Sequence, residues 1–212
     1  MSMRITITSS RRSIRADQYD DVWKTIANIN QEFTSENTSI NSGQLPAVFN
    51  MPGVNIGKIN LDYGGGKFDN VAEYFQKEGI VNLVLDPFNR SKDHNYEVIL
   101  TLRDIGGAYT ATCSNVLNVI KEKENRMEVL NNMKKLVRPG GTIYITVYEA
   151  DGSGDEGETA SGYQLRRKTK EYMDEIYEVF PNAKRKGKLI TIVNNGSSAK
   201  ASARIDKDLI TI

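Results

Sequence analysis

The stretch Asn60-Leu-Asp-Tyr-Gly-Gly-Gly-Lys-Phe-Asp69 decides how this chain folds. It follows a short apolar run that begins at Val54, and it places an acidic residue and three glycines directly after that run. Glycines let the backbone turn sharply and let a ligand approach the main chain, because no Cβ blocks the way. The next residues are apolar at positions 71, 72, 74 and 75, which indicates a helix. Strand, glycine turn and helix predict the first unit of a doubly wound nucleotide-binding fold.

Composition limits the chemistry that the chain can carry. Its 212 residues suffice for one domain with a buried core. The single cysteine, Cys113, excludes an internal disulfide and a cysteine-based zinc site, and the single histidine, His94, excludes a multi-histidine cluster. No metal site is therefore expected.

Hydropathy and charge predict the compartment and the partners. No apolar run approaches the roughly 20 residues that cross a bilayer, so no membrane segment is expected. The start of the chain is rich in arginine but has no apolar segment of the kind found in signal peptides, which favours a cytoplasmic protein. The net charge of +1 exerts no general attraction on nucleic acid, so such binding would need local basic patches.

The pattern divides the chain into three parts. Residues 1–50 are predicted to be an N-terminal extension with a helical cap, because Met3 to Thr8 alternates like a strand and 17–33 has helical spacing. Residues 51–195 form the main domain, and 196–212 form a C-terminal tail. In the main domain, predicted strands alternate with helices, which indicates an α/β fold of Rossmann type. We expect a mostly parallel seven-stranded sheet with helices on both faces; the segment 96–100 fits either a strand or a helix.

The glycine turn excludes two common nucleotide sites. A dinucleotide loop needs a third glycine three residues after the second, but that position is Asp69, whose charge would oppose a pyrophosphate. A P-loop is also absent, because no Gly-Lys-Ser/Thr follows a four-residue gap. The remaining ligand is a nucleoside that lacks phosphates and carries a positive centre, for which Asp62 is a suitable neighbour.

These residues resemble the motifs of class I S-adenosylmethionine-dependent methyltransferases over roughly residues 55–193. The first motif of that family is matched by Leu61-Asp-Tyr-Gly-Gly-Gly66, and Asp86, 20 residues beyond Gly66, ends the next strand. Two further landmarks are Thr112 to Asn118, after a strand, and the Arg138-Pro-Gly-Gly141 turn into another. The four segments occur in the family's order and spacing.

The resemblance implies S-adenosyl-L-methionine as cofactor and assigns roles. Asp62 would lie near the amino-acid end of the cofactor, Asp86 would bind the ribose hydroxyls, and Phe88 would contact the adenine. Ser114 to Asn118 would face the methyl group, with Asn115 and Asn118 as candidate catalytic residues. The full set implied to bind the cofactor is Asp62, Tyr63, Gly64, Gly65, Gly66, Lys67, Asp86, Pro87, Phe88, Ser114 and Asn115.

Some residues depart from the motifs of this family, and others suggest the biological context in which the protein acts. Phe68 replaces the third loop glycine, and Ser114-Asn-Val-Leu117 lacks the prolines and aromatic residue of amino methyltransferases that act on adenine or cytosine. A general base is not evident, so the acceptor is left open. More narrowly, segments such as Asp86-Pro-Phe-Asn-Arg90 resemble phage-type and DNA-modification-associated methyltransferases.

Two other functions remain open from the sequence. The fold would also suit a catalytically silent S-adenosylmethionine-binding sensor or interaction protein, or an oxidoreductase that binds a different nucleotide. The acidic segment 149–158 suits either a mobile lid over the site or merely a disordered hairpin. Oligomeric state is not determined. A nucleic-acid acceptor would be bound by two basic runs, which contain Arg166, Arg167, Lys168, Lys184, Arg185 and Lys186.

Overall fold

The computed structural model describes residues 16–34, 44–160 and 162–196. The strand predicted at Met3 to Thr8 and nearly all of the C-terminal tail lie outside these ranges. The described strands are β1 (Ile59–Tyr63), β2 (Val81–Leu85), β3 (Ala108–Ser114), β4 (Val137–Thr146), β5 (Glu156–Thr159), β6 (Gly162–Leu165), β7 (Lys184–Lys186) and β8 (Leu189–Val193). The α-helices are α1 (Ala16–Ala27), α2 (Asn70–Lys77), α3 (Lys92–Ile105), α4 (Lys123–Leu136) and α5 (Met173–Val179), with 3₁₀ helices at Ala47–Asn50, Leu117–Val119 and Thr169–Tyr172.

The main sheet has the strand order β2-β1-β3-β4-β8-β7. The first four strands in this order are parallel, and β8 and β7 add an antiparallel end. This confirms the predicted α/β fold with a mostly parallel sheet, although the described part of the chain contributes six strands to the main sheet rather than seven. The ambiguous segment 96–100 belongs to α3, which begins where Ser91 Oγ accepts a hydrogen bond from the backbone N–H of His94.

The order of the strands creates a crevice at one edge of the sheet. From β1 the chain moves to β2 on one side, and from β2 it crosses to β3 on the other side of β1. Loops that leave β1 and β3 therefore diverge at their carboxyl ends. Ligands of open α/β sheets bind at this kind of switch point.

One face of the sheet carries the main apolar core. Side chains such as Leu61, Ala111 and Ile145 pack there with residues of α1, α3, α4 and α5. In α1 the buried residues Val22 and Ile26 belong to this same core, so the part of the predicted N-terminal extension that the structure describes packs on the main domain. None of the helices in the described ranges is long and apolar enough to cross a membrane.

The other face of the sheet is more polar near β1. Asn60 Nδ2 donates to Asn82 Oδ1 over 2.7 Å, and Thr110 Oγ1 donates to Asn60 Oδ1 over 2.8 Å, which links three strands. This face is covered by α2 and the segment before β1, where Phe49 packs edge-on against Phe75 of α2. Helices therefore cover both faces, as predicted, and the polar face orients the side chains at the end of β1.

Candidate ligand-binding site

A cavity of about 440 Å³ lies at the carboxyl ends of β1, β2 and β3, at the switch point of the sheet. It brings together most of the residues that the sequence predicted to bind a ligand. Those that line it are Asp62, Tyr63, Gly64, Gly65, Asp86, Pro87, Phe88, Ser114 and Asn115. Gly66, Lys67 and Asn118 are not among its lining residues.

Close contacts on both sides of the turn leave room only for glycine at positions 64 and 65. Gly64 has φ +73°, and its N–H donates to the carbonyl of Leu85 over 2.8 Å. A Cβ at Gly64 would lie 2.4 Å from Cγ2 of Val116, and one at Gly65 would lie 2.7 Å from Oδ2 of Asp62. Any larger residue would therefore displace a wall of the cavity or its carboxylate.

The carboxylate of Asp62 is held by side chains of the neighbouring strands. Asp62 is 2% exposed, its Oδ1 accepts a hydrogen bond from Thr112 Oγ1 over 2.9 Å, and its Oδ2 accepts one from Asn82 Nδ2 over 3.4 Å. Burial raises the pKa of Asp62 to about 6, although these two hydrogen bonds act in the opposite direction. The end of β1 thus holds a carboxyl group whose charge changes near neutral pH.

The carboxylate of Asp86 is held mainly by backbone amides. Oδ1 accepts hydrogen bonds from the N–H groups of Phe88 (3.1 Å) and Asn89 (2.9 Å), and Oδ2 accepts one from the N–H of Gly66 (2.9 Å). The buried Asn95 side chain receives the N–H of Asp86 and donates to its carbonyl, each over 2.9 Å. Asp86 therefore connects the turn after β2 to the glycine turn after β1.

Arg90 contacts the loop after β1, and the sequence motifs did not single it out. It lies one helical turn after Asp86, and its guanidinium reaches back to the loop after β1. There Nε donates to the carbonyl of Gly66 over 2.7 Å, and Nη2 donates to the carbonyl of Phe68 over 2.9 Å. Nη1 forms an ion pair with Asp69 over 2.7 Å. The sequence feature that could have indicated this contact is a basic residue four positions after the acid that ends β2.

The segment after β3 divides between the cavity and the core. Ser114 Oγ accepts a hydrogen bond from Thr146 Oγ1, and Asn115 is exposed at the cavity with φ +58°, a conformation that asparagine tolerates. Asn118 is instead buried, where its side chain contacts Gln164 (3.3 Å) and the N–H of Tyr148 (3.4 Å). The two asparagines named as catalytic candidates thus lie in different surroundings.

The outer wall of the cavity was missed by sequence reasoning. It comes from the two described segments before β1 and from apolar residues after β3. These residues belong to no polar sequence motif, and only the spacing of apolar residues could have indicated that they are buried. The wall residues are Ile29, Gln31, Gln44, Leu45, Pro46, Ala47, Val116, Val119, Ile120 and Val129, with Asn89 beside the Asp86 turn.

The acidic segment after β4 ends in a hairpin. β5 and β6 pair in an antiparallel ribbon, and Tyr163 of β6 stacks on Phe33 with ring centroids 5.3 Å apart. Since Phe33 follows the wall residues Ile29 and Gln31, the hairpin supports the outer wall of the cavity. Residues 156–158 of the acidic segment thus lie in a paired β-ribbon.

The basic residues proposed to contact nucleic acid differ in their pairing. Arg167 forms ion pairs with Glu156 and Glu175, each at 3.5 Å. Arg166 is half-buried and Lys168 is exposed, whereas the remaining three residues form the exposed strand β7 at the end of the sheet, namely Lys184, Arg185 and Lys186. Lysines at a sheet edge also prevent edge-to-edge association, so this strand has a structural explanation too.

Comparison with family models and with curated proteins gives no match. Among solved structures, a 1,6-didemethyltoxoflavin-N1-methyltransferase of Burkholderia thailandensis, crystallised with 1,6-didemethyltoxoflavin and S-adenosylhomocysteine, is 16% identical over 65% of this chain and 71% of its own, with a TM-score of 0.46. An O-methyltransferase family protein from the same organism is 15% identical over 68% of this chain and 52% of its own, with a TM-score of 0.40.

The mitomycin 7-O-methyltransferase MmcR is 13% identical over 84% of this chain and 53% of its own, with a TM-score of 0.40. This chain thus spans only about half the length of the second and third of these structures. All three are methyltransferases by name, and similarity at this level does not assign a family. None of the three is named for a phage or for DNA modification, so the narrower resemblance remains a prediction.

Proposed function

We propose that the protein is a methyltransferase that uses S-adenosyl-L-methionine. The observation that supports this most strongly is the charge of the cavity. Around the cavity, the described lining residues include two buried carboxylates, Asp62 and Asp86, and no lysine, arginine or histidine. Such a lining disfavours a pyrophosphate and favours a nucleoside that carries a positive centre.

The lining residues also suit the parts of this cofactor. Gly64 and Gly65 leave main chain open where a Cβ would clash, which suits close approach of a ligand. We assign Asp86 to the ribose hydroxyls, Phe88 and Pro87 to the adenine, and Asp62 to the amino-acid end. Ser114 and Asn115 would face the methyl group. The cofactor supplies a methyl group activated on a sulfonium.

Positioning is the main contribution that the residues of this chain make to the proposed reaction. Methyl transfer is an in-line displacement, and well-oriented reactants gain an effective molarity of about 10⁵ M or more. The apolar side chains of Ile29, Leu45 and Val119 line the same cavity and would contact and orient the acceptor. Asp62 and Asp86 are both engaged in hydrogen bonds, so neither is assigned as a general base.

The acceptor can be of two kinds, and a different part of the molecule supports each. The apolar outer wall supports a small molecule that enters the cavity. The exposed strand Lys184–Lys186 supports a nucleic acid, whose phosphates are attracted by clustered basic residues. A phage or DNA-modification setting belongs to this second proposal.

A sensor that binds S-adenosylmethionine without transferring methyl is the other candidate function. It is favoured by the hydrogen-bonded state of both carboxylates in the cavity, which leaves the described lining without an assigned base. An acceptor that needs no deprotonation would allow catalysis in the same cavity. Binding and transfer therefore have to be measured separately.

Titration of the purified protein with S-adenosylhomocysteine and with NAD tests the cofactor. We expect micromolar affinity for S-adenosylhomocysteine, on the order of −8 kcal/mol, and no binding of NAD. Binding of NAD alone would overturn the proposal in favour of an oxidoreductase. Transfer of a labelled methyl group to DNA, RNA or a small-molecule extract then separates the enzyme from the sensor, since only the enzyme labels an acceptor.

A further inference from the structure

We propose that Arg90 is a positioning residue that holds the glycine loop, residues 64–69, in the conformation that receives the ligand. This inference rests on the proposed function, because the ligand that the loop receives is the proposed cofactor. Arg90 does not line the cavity. It therefore acts through the loop rather than by touching the ligand.

All three nitrogens of the Arg90 guanidinium take part in this contact. Each of its three nitrogens binds a different residue of the loop: Nε binds Gly66, Nη2 binds Phe68 and Nη1 binds Asp69. The distances lie between 2.7 and 2.9 Å, as expected for charge-assisted hydrogen bonds. The side chain is 12% exposed, whereas that of Asp69 is 64% exposed. We call these three contacts of Arg90 with the loop the Arg90 clamp. The two part-buried carbonyl contacts are its better protected part, because the Asp69 side chain is largely exposed.

Asp86 completes the clamp by binding the other backbone group of the same residue, Gly66. Its Oδ2 accepts the N–H of Gly66, while Arg90 Nε donates to the carbonyl of Gly66. Asp86 and Arg90 are themselves joined, because the N–H of Arg90 donates to the carbonyl of Asp86 over 3.1 Å. Asn95 of α3 donates to the carbonyls of both. One rigid turn between β2 and α3 therefore fixes both polar groups of Gly66.

The loop needs such an external support. Gly64 and Gly66 both have positive φ, and glycine loses more conformational freedom on ordering than any other residue. Asp69, which precedes α2, makes no side-chain capping bond to the helix. Phe68 stands where the resembled family has a further glycine, and its carbonyl is one of the two that Arg90 binds. The clamp thus compensates for a loop with weak internal restraints.

The clamp predicts a particular effect on binding. If only a fraction of the molecules holds the loop in the competent conformation, the apparent Kd rises by the reciprocal of that fraction. A molecule that has bound the ligand has the loop in place, so its later steps are little changed. Loss of Arg90 should therefore raise the Kd and the KM for the cofactor while kcat at saturation stays nearly constant.

Three variants test this inference: Arg90→Ala, Arg90→Lys and, as a matched control on α3, Arg103→Ala. Within the described ranges, the Arg103 side chain pairs with its exposed neighbour Asp104. The first measurement is amide hydrogen exchange in the ligand-free protein. We expect the Gly66 amide to exchange about tenfold faster or more in Arg90→Ala, as for loss of charge-assisted hydrogen bonds. Amides of β4 should not change. Arg90→Lys should be intermediate, because one ammonium cannot reproduce the three-way contact.

The second measurement is titration with S-adenosylhomocysteine, with and without added guanidinium chloride at a concentration below the unfolding transition. We expect a Kd about tenfold higher or more in Arg90→Ala, partly restored by guanidinium, and an unchanged Kd in Arg103→Ala. Restoration would not occur if the substitution had merely destabilised the fold.

The outcomes separate the clamp from the proposed function. Unchanged exchange at Gly66 in Arg90→Ala overturns the clamp, whatever the ligand is. A tenfold rise in Kd without faster exchange at Gly66 also overturns it, because Arg90 would then touch the ligand directly. Wild-type protein that does not bind S-adenosylhomocysteine overturns the proposed function, while the exchange experiment still decides the clamp.

Discussion

Asp62 and Asp86 end neighbouring parallel strands, and the protein holds their carboxylates in different ways. Asp62 is fixed by the side chains of Thr112 and Asn82, which belong to the strands on either side of it. Asp86 is fixed by three backbone amides, two from its own turn and one from Gly66. The strands of the sheet thus hold the carboxylate of Asp62, whereas the carboxylate of Asp86 holds the loops that follow β1 and β2.

This difference separates two roles that look alike in the sequence. The polar partners of Asp62 are neutral side chains, and its burial raises the pKa to about 6. Asp62 is therefore the residue whose charge responds to pH. Asp86 accepts the amides that define two turns, so its removal changes the shape of the site. Both acids line the cavity, and Asp86 in addition holds the two turns that shape it.

The largest effect on stability is expected at Gly64, whose backbone links the end of β1 to the end of β2. Gly64 follows Asp62 by two residues and is bound to the carbonyl before Asp86. Gly64→Ala would place a methyl group 2.4 Å from Val116 Cγ2 in a left-handed conformation. Strain and overpacking together should lower the free energy of unfolding by roughly 4 kcal/mol. Urea-induced unfolding measures this loss.

Gly157→Ala is the matched control, because a Cβ at Gly157 in β5 meets nothing within 4 Å and its φ is not positive. We expect this control to unfold within about 0.5 kcal/mol of the wild type, as for surface substitutions away from special sites. Equal stability of the two variants would show that the turn at Gly64 relaxes, and that it does not need a glycine.

The sequence predicted the inner half of this site and not the outer half. Asp62, Asp86 and the glycines could be identified because strand ends in a doubly wound sheet must meet at one edge, and because only glycine tolerates the turn between them. The spacing of 20 residues between Gly66 and Asp86 corresponds to a direct hydrogen bond. These features depend on local backbone geometry, which the sequence encodes closely.

The outer half depends on long-range packing, which periodicity does not encode. Ile29 and Leu45 read as ordinary apolar residues, and nothing in their neighbourhood showed that they would close the cavity. The segment 96–100 was ambiguous for a related reason, since a short apolar run fits a strand or a buried helix. In the structure this segment belongs to α3, and Ser91 caps the start of that helix. Arg90 was missed because its contacts join two loops that are separate in the sequence.

The pH dependence of stability sharpens the contrast between the two acids. In the unfolded chain Asp62 titrates near 3.8, and in the folded protein near 6. The folded state therefore binds more protons between these values, so this residue makes the protein less stable as the pH rises from about 4 to about 6. Above that window its contribution is constant. The difference across the window amounts to about 3 kcal/mol.

Asp62→Asn should remove this contribution while keeping the shape of the side chain. We expect the variant's free energy of unfolding to fall less steeply, or to rise, between pH 4 and 6, as measured by urea unfolding at closely spaced pH values. Carboxylates that do not interact with Asp62 act equally in both proteins; for example, hydrogen bonds from Thr169 lower the pKa of Glu149 to about 2. Parallel curves for wild type and variant would contradict the assigned titration.

The smallest of these effects concerns the geometric role of Asp86. Asp86→Ala removes the acceptor of three backbone amides and, in the proposed function, the partner of the ribose hydroxyls. We expect the Kd for S-adenosylhomocysteine to rise more than tenfold, which is at least about 1.4 kcal/mol. Asp93→Ala, an exposed acid in the first turn of α3, is the control and should bind normally.

Comparison with the Arg90 clamp then tells the two contributions of Asp86 apart. If Asp86 acted only through the hold on Gly66 that it shares with Arg90, the double variant would bind little worse than the weaker-binding single variant, because both side chains hold the same residue. A direct contact with the ribose adds a loss that Arg90→Ala lacks. We therefore expect Asp86→Ala to bind more weakly than Arg90→Ala, and an unchanged Kd in Asp86→Ala would remove this residue from the site.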